Sequence, residues 1–354
     1  MLYRENGQFK SSYREDQQLF PIRQDRIGIL LVIAAAFVLV PMLASDYVYQ
    51  AILIPFVILS LAAIGLNVLV GYCGQISLGT GAFMAVGAYA AYNLQARIDD
   101  FPLILSLILG GVVAMFFGVL FGIPSLRIRG LYLAVATLAA QFFMDWLASR
   151  AAWVTNHSSS GSVSAGKLSI LGWHINTPMD KYLLCLIFLC VLGLLAKNLV
   201  RGAIGREWMA MRDMDVAAAV IGISPIYAKL SAFAVSSFIV GVAGALWGFV
   251  HLGSWEPAAF SLDMSFKLLF MIIIGGLGSI AGGIFGAGFF VLLPLALTHI
   301  PHWLGLPLST AAATYLEHMI FGGLIVFFLI VEPHGLARLW GTARQKLRIW
   351  PFPH

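Results

Sequence analysis

The feature that most constrains this chain is a recurrence of apolar blocks, each approaching twenty residues, parted by short polar or charged breaks. About 20 apolar residues wound as a helix cross the ~30 Å hydrocarbon core of a bilayer. A chain built from such blocks therefore has lipid as its main solvent. Of its 354 residues 60% are hydrophobic and only 10% charged, whereas a soluble domain carries about 25% charged residues. Backbone polar groups in lipid must be satisfied internally, which leaves helical bundles and closed barrels, and continuous apolar runs select the bundle. The expected fold class is an all-α polytopic membrane protein of about ten transmembrane helices. They are placed near residues 27–45, 48–70, 76–94, 101–123, 131–150, 181–199, 229–250, 265–277, 280–298 and 311–331. Glycine-rich or polar interruptions make the third, fifth and eighth short or re-entrant.

Positive charge tests the count independently, because basic loops stay cytoplasmic. Arg4, Lys10, Arg14, Arg23 and Arg26 precede the first block, Arg127 and Arg129 follow the fourth, and Lys197, Arg201, Arg206, Arg212 and Lys229 surround the loop after the sixth. With Arg338, Arg344, Lys346 and Arg348 at the end, 16 of the 21 basic residues fall on one face if the chain crosses ten times. Both ends are then expected inside. The resulting plan is a cytoplasmic tail (1–26), a transmembrane region (27–331) and a basic cytoplasmic tail (332–354). An external loop is expected at 151–180 and a cytoplasmic loop at 201–228. The external loop is polar, with room for a short hairpin, and together with 251–263 it offers a landing surface for an external partner. The first 26 residues have no apolar core, so the first span rather than a cleavable signal is expected to address the chain to the membrane.

Composition also excludes function classes. The net charge of +5 sits in tails and loops rather than in a patch interleaved with aromatics, so nucleic acid is not an expected partner. Cys73, Cys185 and Cys190 lie in apolar stretches and read as small core residues, not as a disulfide framework or metal site. The run GSVSAGKL, Gly161–Leu168, nearly matches a phosphate-binding loop, but Leu168 stands where a Mg²⁺-binding hydroxyl is required and no strand–helix context surrounds it. No nucleotide site is expected in this chain. No catalytic constellation emerges, so an enzyme is not expected. Asp145, with Arg150 as a pairing partner, and Glu317 and His318 are the ionisable groups inside apolar blocks; His299 and His302 flank Pro301 in an external loop. A proton relay would need groups such as Glu317 and His318, which keeps an ion-coupled secondary transporter as the competing class.

Two glycine-rich segments carry the functional signal. In GLNVLVGYCGQISLGTGAFMAVGAYAAY, residues 65–92, the polar Asn67, Gln75, Ser77 and Thr80 stand among closely spaced glycines. The segment is either a packing face with polar groups bonding across helices or a broken helix lining a solute path. The second, MIIIGGLGSIAGGIFGAG at 271–288, contains Ser279 and spaces Gly278, Gly282 and Gly286 four residues apart. One such segment in each half suggests an internal pseudo-repeat. The cytoplasmic stretch GREWMAMRDMDVAAAVIGISPIYAKLSAF, 205–233, reads as a short helix ending in a turn. It is either a basic connector or a docking helix with Arg206, Glu207, Arg212 and Asp213 at its rim, and with Ala218, its neighbouring alanines and Gly222 allowing close approach.

Taken together, GLNVLVGYCGQISLGTGAF, GREWMAMRDMDVAAAVIG followed by KLSAFAVSSFIVGVAGAL, and MIIIGGLGSIAGGIFGA resemble the M-type (LivM-type) permease of the branched-chain amino acid importers of the ABC superfamily. The resemblance covers roughly residues 50–335. It implies a permease subunit of the bacterial inner membrane with a sister permease of the H type, two cytoplasmic ATP-binding subunits carrying ATP and Mg²⁺, and a periplasmic solute-binding protein. It further implies that 206–224 is the coupling element and that the Gly71–Gly81 segment is part of the pore. The implied cargo is branched-chain amino acids, with urea, short amides and other small polar solutes as alternatives within the family.

Overall fold

The computed structural model describes residues 11–12, 23–126, 131–156, 158, 161–166, 169–170, 173–303, 310–331 and 335–349. Outside them lie Arg4, Lys10, Arg14, Arg127, Arg129, Lys167 and Leu168, and the side chains of Glu317, His318, His299 and His302 are likewise outside the description.

Helices occupy every range expected from the apolar blocks: α1 (Arg26–Leu43), α2 (Asp46–Tyr72), α3 (Thr80–Arg97), α4 (Leu103–Gly122), α5 (Leu131–Arg150) and α6 (Pro178–Arg201). Two short helices follow, α7 (Ala203–Asp213) and α8 (Asp215–Val220). Then come α9 (Pro225–Leu252), α10 (Leu262–Gly275), α11 (Ile280–Trp303), α12 (Thr310–Val331) and the basic α13 (Gly335–Ile349). Among the described residues six segments are by themselves long and apolar enough to cross a membrane: α1, α2, α4, α6, α9, and Pro257–Gly275, which is α10 with the turn before it. The starts are set by ordinary helix chemistry. Thr177 Oγ1 accepts from Asp180 N at 3.2 Å ahead of Pro178, and Ser224 Oγ accepts from Tyr227 N at 3.5 Å ahead of Pro225. Side-chain caps and a proline in the first turn suit groups that have no partner within the helix.

Helices α2 and α9 form the centre. Of the apolar window of each, 83% is buried, against 39% for α4 and none for α1. Small residues bring the surrounding helices close: a Cβ on Gly87 of α3 would collide with the Gly241 carbonyl of α9, and one on Gly241 with Ala114 of α4. Without water to drive helices together, such close approach supplies much of the contact energy in lipid. α1 lies outside this centre, where Tyr182 of α6 donates from its hydroxyl to the Ala36 carbonyl at 3.1 Å.

The two central helices end alike. α2 finishes in a π turn, Val68–Tyr72, and α9 in another, Trp247–Leu252; each then gives way to non-helical chain before a shorter helix begins. The third helix consequently starts at Thr80, later than the expected 76, because the chain from Cys73 to Gly79 leaves helical geometry with Gly74 at φ +72°. The eighth begins earlier than expected, at Leu262.

One end of the bundle gathers the long polar loop. Its strand β1 (Val163–Ser164) pairs antiparallel with β4 (Ser254–Trp255), joining that part of the loop to the chain after α9. The expected hairpin is present as β2 (Ser169–Ile170) with β3 (Trp173–His174). The end of α3 is tied to the same loop: Asn93 Nδ2 donates to the Val154 carbonyl at 2.8 Å, and Arg97 donates to the Trp153 carbonyl at 2.6 Å and lies over its ring.

Candidate functional site

The interrupted chain after α2 organises two polar clusters. In the first, one buried amide holds a whole turn. Asn67 Nδ2 donates to the Ser279 carbonyl at 2.7 Å and the Gly276 carbonyl at 3.3 Å, while Asn67 Oδ1 accepts from Gly278 N at 2.9 Å. The α10–α11 turn is thereby latched to the last turns of α2. Side chains are excluded at the contact: a Cβ on Gly71 would overlap Asn67 Oδ1 and Gly278 N, and Gly278 itself has φ +72°, a region that L side chains disfavour. Ser279 Oγ accepts from Gly282 N at 3.1 Å, opening α11.

Arg212 of α7 reaches this cluster from outside. Its Nη1 donates to the Gly71 carbonyl at 2.9 Å, and its Nε pairs with Asp213 Oδ1 at 2.9 Å. The last carbonyls of a helix have no partner within it, and a cation there also meets the negative end of the helix dipole.

The second cluster surrounds the start of α3. Leu78 N donates to Thr137 Oγ1 at 2.9 Å, Gly81 N to Ser265 Oγ at 2.8 Å and Ala82 N to Gln141 Oε1 at 2.7 Å. Gln141 is the junction, since Ser265 Oγ also donates to its Oε1 at 3.1 Å, and its Nε2 donates to the Phe260 carbonyl at 2.8 Å and to Asp145 Oδ1 at 3.1 Å. Residues from α3, α5 and α10 are thus joined through buried polar atoms. Asp145 is engaged by Gln141 four residues before it, not by the expected Arg150, because the carboxylate shares the inward face of α5 with the amide. Ser77 Oγ accepts from Gly79 N at 3.3 Å, and Gln75 Nε2 donates to Cys73 Sγ at 3.4 Å. Gln75 Oε1 and Thr80 Oγ1 are buried with no hydrogen-bond partner among the described residues.

Of the pathway candidates, then, Asn67 and Ser279 meet in the first cluster, while Gln75, Ser77 and Thr80 lie along the chain leading to the second. Sequence reasoning missed Thr137, Gln141 and Ser265. The first two had a readable signal: with Asp145 they stand at i, i+4 and i+8, one polar stripe on an otherwise apolar helix. The four-residue glycine spacing divides between roles, because Gly282 and Gly286 pack against Gly275 and Met271 of α10 whereas Gly278 makes the turn.

The family model described as "Branched-chain amino acid transport system / permease component" matches residues 48–329, from the second residue after Asp46 of α2 almost to the end of α12. The chain belongs to this permease-component family. Within it, the chain is 29% identical over 330 residues to the high-affinity branched-chain amino acid transport system permease protein LivM of Salmonella typhimurium strain LT2, covering 87% of this chain and 73% of the relative. It is 28% identical to the protein of the same name from Escherichia coli K12, covering 77% of this chain and 66% of that one. A probable branched-chain amino acid transport permease protein LivM of Methanocaldococcus jannaschii is 23% identical over 72% of this chain and 76% of its own length. No solved structure matches the chain significantly.

The matched region includes the short helices between α6 and α9, which have two unlike faces. Trp208, Met211 and Ala218 turn inward; Trp208 is fully buried, with its Nε1 donating to Ser231 Oγ of α9 at 2.9 Å. Outward stand Arg206, Asp213, Gly222 and the large apolar Met214, Val216, Val220 and Ile221, with Glu207 half-buried. The docking candidates thus share one short segment, but Arg212 points toward Gly71 and Ala218 into the bundle. The exposed apolar residues were not anticipated from the sequence, where charge and alanine drew the attention.

Proposed function

We propose that this chain is the membrane-spanning permease subunit of an ATP-binding-cassette importer, moving branched-chain amino acids inward across the bacterial cytoplasmic membrane by alternating access. The observation that carries the reading is the outer face of α7 and α8. Val220, at the end of α8, is 82% exposed, and Met214 and Ile221, which bound that helix on either side, are 71% and 75% exposed. Exposed apolar surface rimmed by polar residues marks an interaction site, and this one belongs to a segment flanked by Lys197, Arg201, Arg206 and Lys229, a basic setting that supports a cytoplasmic position.

Two ATP-binding subunits, holding ATP and Mg²⁺, dock there and on a sister H-type permease. The chain crosses the bilayer ten times with both ends inside. Two groupings support that topology: Arg212, the α10–α11 turn and the start of α13 share one end, while 163–165 and 253–255 share the other. A solute-binding protein then lands on the joined external loops. The two glycine-rich breaks change between outward and inward opening, and a ligand biases that exchange only through its different affinity for the two states. Selectivity is set mainly in the binding protein, since a tight site here would oppose release.

The test is reconstitution in vesicles with family ATPase, sister-permease and solute-binding subunits. Uptake of labelled leucine that requires ATP, and that isoleucine and valine suppress more than urea or a short amide, is expected. Uptake that persists without nucleotide and collapses with the proton gradient would overturn the proposal.

A further inference from the structure

α7 grips both central helices from one face. Trp208 is fixed to α9 through Ser231, and Arg212, one helical turn later, is fixed to α2 through the Gly71 carbonyl. Beyond Gly71 the path continues without a gap, since the α2 backbone touches Gly278 and Asn67 holds the α10–α11 turn by three hydrogen bonds. Both glycine-rich segments, far apart in sequence, therefore answer to one guanidinium.

The surroundings fit that purpose. A Cβ on Gly74 would lie 2.8 Å from Arg212 Cγ, and one on Gly278 3.3 Å from Arg212 Nη1, so these two glycines leave the arginine its space. Asp213 holds Nε on one edge of the planar group while Nη1 addresses the carbonyl. A charge-assisted bond of this kind is stronger than a neutral one. The Asp213 side chain is 65% exposed and that of Arg212 38%, so the pair lies at the edge of the docking segment with its guanidinium turned toward the bundle.

We infer that Arg212 is a positioning residue: it carries displacement of the α7–α8 segment into the backbone at Gly71 and, through Asn67, into the turn between α10 and α11. This rests on the importer reading, in which a motor moves that segment. It assigns Arg212 to the linkage rather than to the motor's contact surface.

The experiment uses the assembled importer, purified through a tag on this chain, with Arg212→Gln, Arg212→Lys and Gly74→Ala. Arg212→Gln should retain the ATP-binding subunits and their ATP hydrolysis while solute moved per ATP falls by roughly tenfold, within the range of coupling free energies between sites. Arg212→Lys keeps a cationic donor and should recover most of that loss. Gly74→Ala leaves the charge but crowds the arginine, and should reproduce the defect. A second readout is amide exchange of the isolated chain in detergent, where Arg212→Gln should speed exchange both at 71–79 and at 276–279 but not within α9. Loss of the ATP-binding subunits from Arg212→Gln, or an unchanged transport ratio, overturns the inference, and so does unchanged exchange at either segment. Failure of the wild-type assembly to couple uptake to ATP would instead sink the importer reading, and the exchange result would still judge the linkage.

Discussion

At the scale of single residues, Asn67 decides how the two glycine-rich segments relate. Replacing it with alanine leaves Gly278 N–H and the Ser279 carbonyl without their partner, and a buried polar group deprived of its bond costs about 1–3 kcal/mol. Asn67→Ala is therefore expected to lower the thermal unfolding midpoint in detergent. Asn67→Asp should lower it further, because a carboxylate would face two carbonyl oxygens where the amide donates. Equal midpoints for the two variants would argue against the donor role. Gly71→Ala tests the same contact by volume: its Cβ would overlap Asn67 Oδ1 and Gly278 N, and overpacking costs about 1–3 kcal/mol. The sequence marked Asn67 as unusual through its polarity among apolar and glycine neighbours. It could not show the purpose, because the groups that Asn67 holds lie 209 to 212 residues further along the chain.

At the scale of elements, helix existence was legible and helix endings were not. Apolar runs near the length of a bilayer announce a span whatever their partners do, which is why all ten ranges contain helix. The start of α3 depends instead on Thr137, Gln141 and Ser265, which accept from the N–H groups of Leu78 and of Gly81 and Ala82 in the first turn of α3, groups that have no partner within the helix. Their contribution can be separated by a double-mutant cycle. Gln141→Leu removes the acceptor of Ala82 N and of Ser265 Oγ and the donor to Phe260, and is expected to destabilise the chain by about 1–3 kcal/mol. Ser265→Ala should cost about 1 kcal/mol. Because the two side chains bond one another, the double variant should lose less than the sum. Strict additivity in unfolding midpoints would mean that they act on α3 independently.

At the scale of the whole molecule, Arg206, Arg212 and Asp213 stand together on one short helix, α7, beside the bundle. What charge could not reveal is that the surface offered there is largely apolar, because Met214, Val216, Val220 and Ile221 lack the helical periodicity of a long amphipathic element. Only once Trp208 and Met211 are seen to fill the inner side does the outer side become defined. Such a face in contact with water costs about 25 cal/mol per Å² of apolar area relative to burial, so covering it with a partner is where association energy is available. Val216→Asp combined with Ile221→Asp should therefore abolish co-purification of ATP-binding subunits while leaving the unfolding midpoint of the isolated chain unchanged, since neither side chain is buried in it. Arg212→Gln should show the opposite pattern, retaining the partner while exchange rises in the glycine segments. A double aspartate variant that still holds its partner would move the docking site elsewhere, and the contrast between the two variants separates the surface that binds from the arm that transmits.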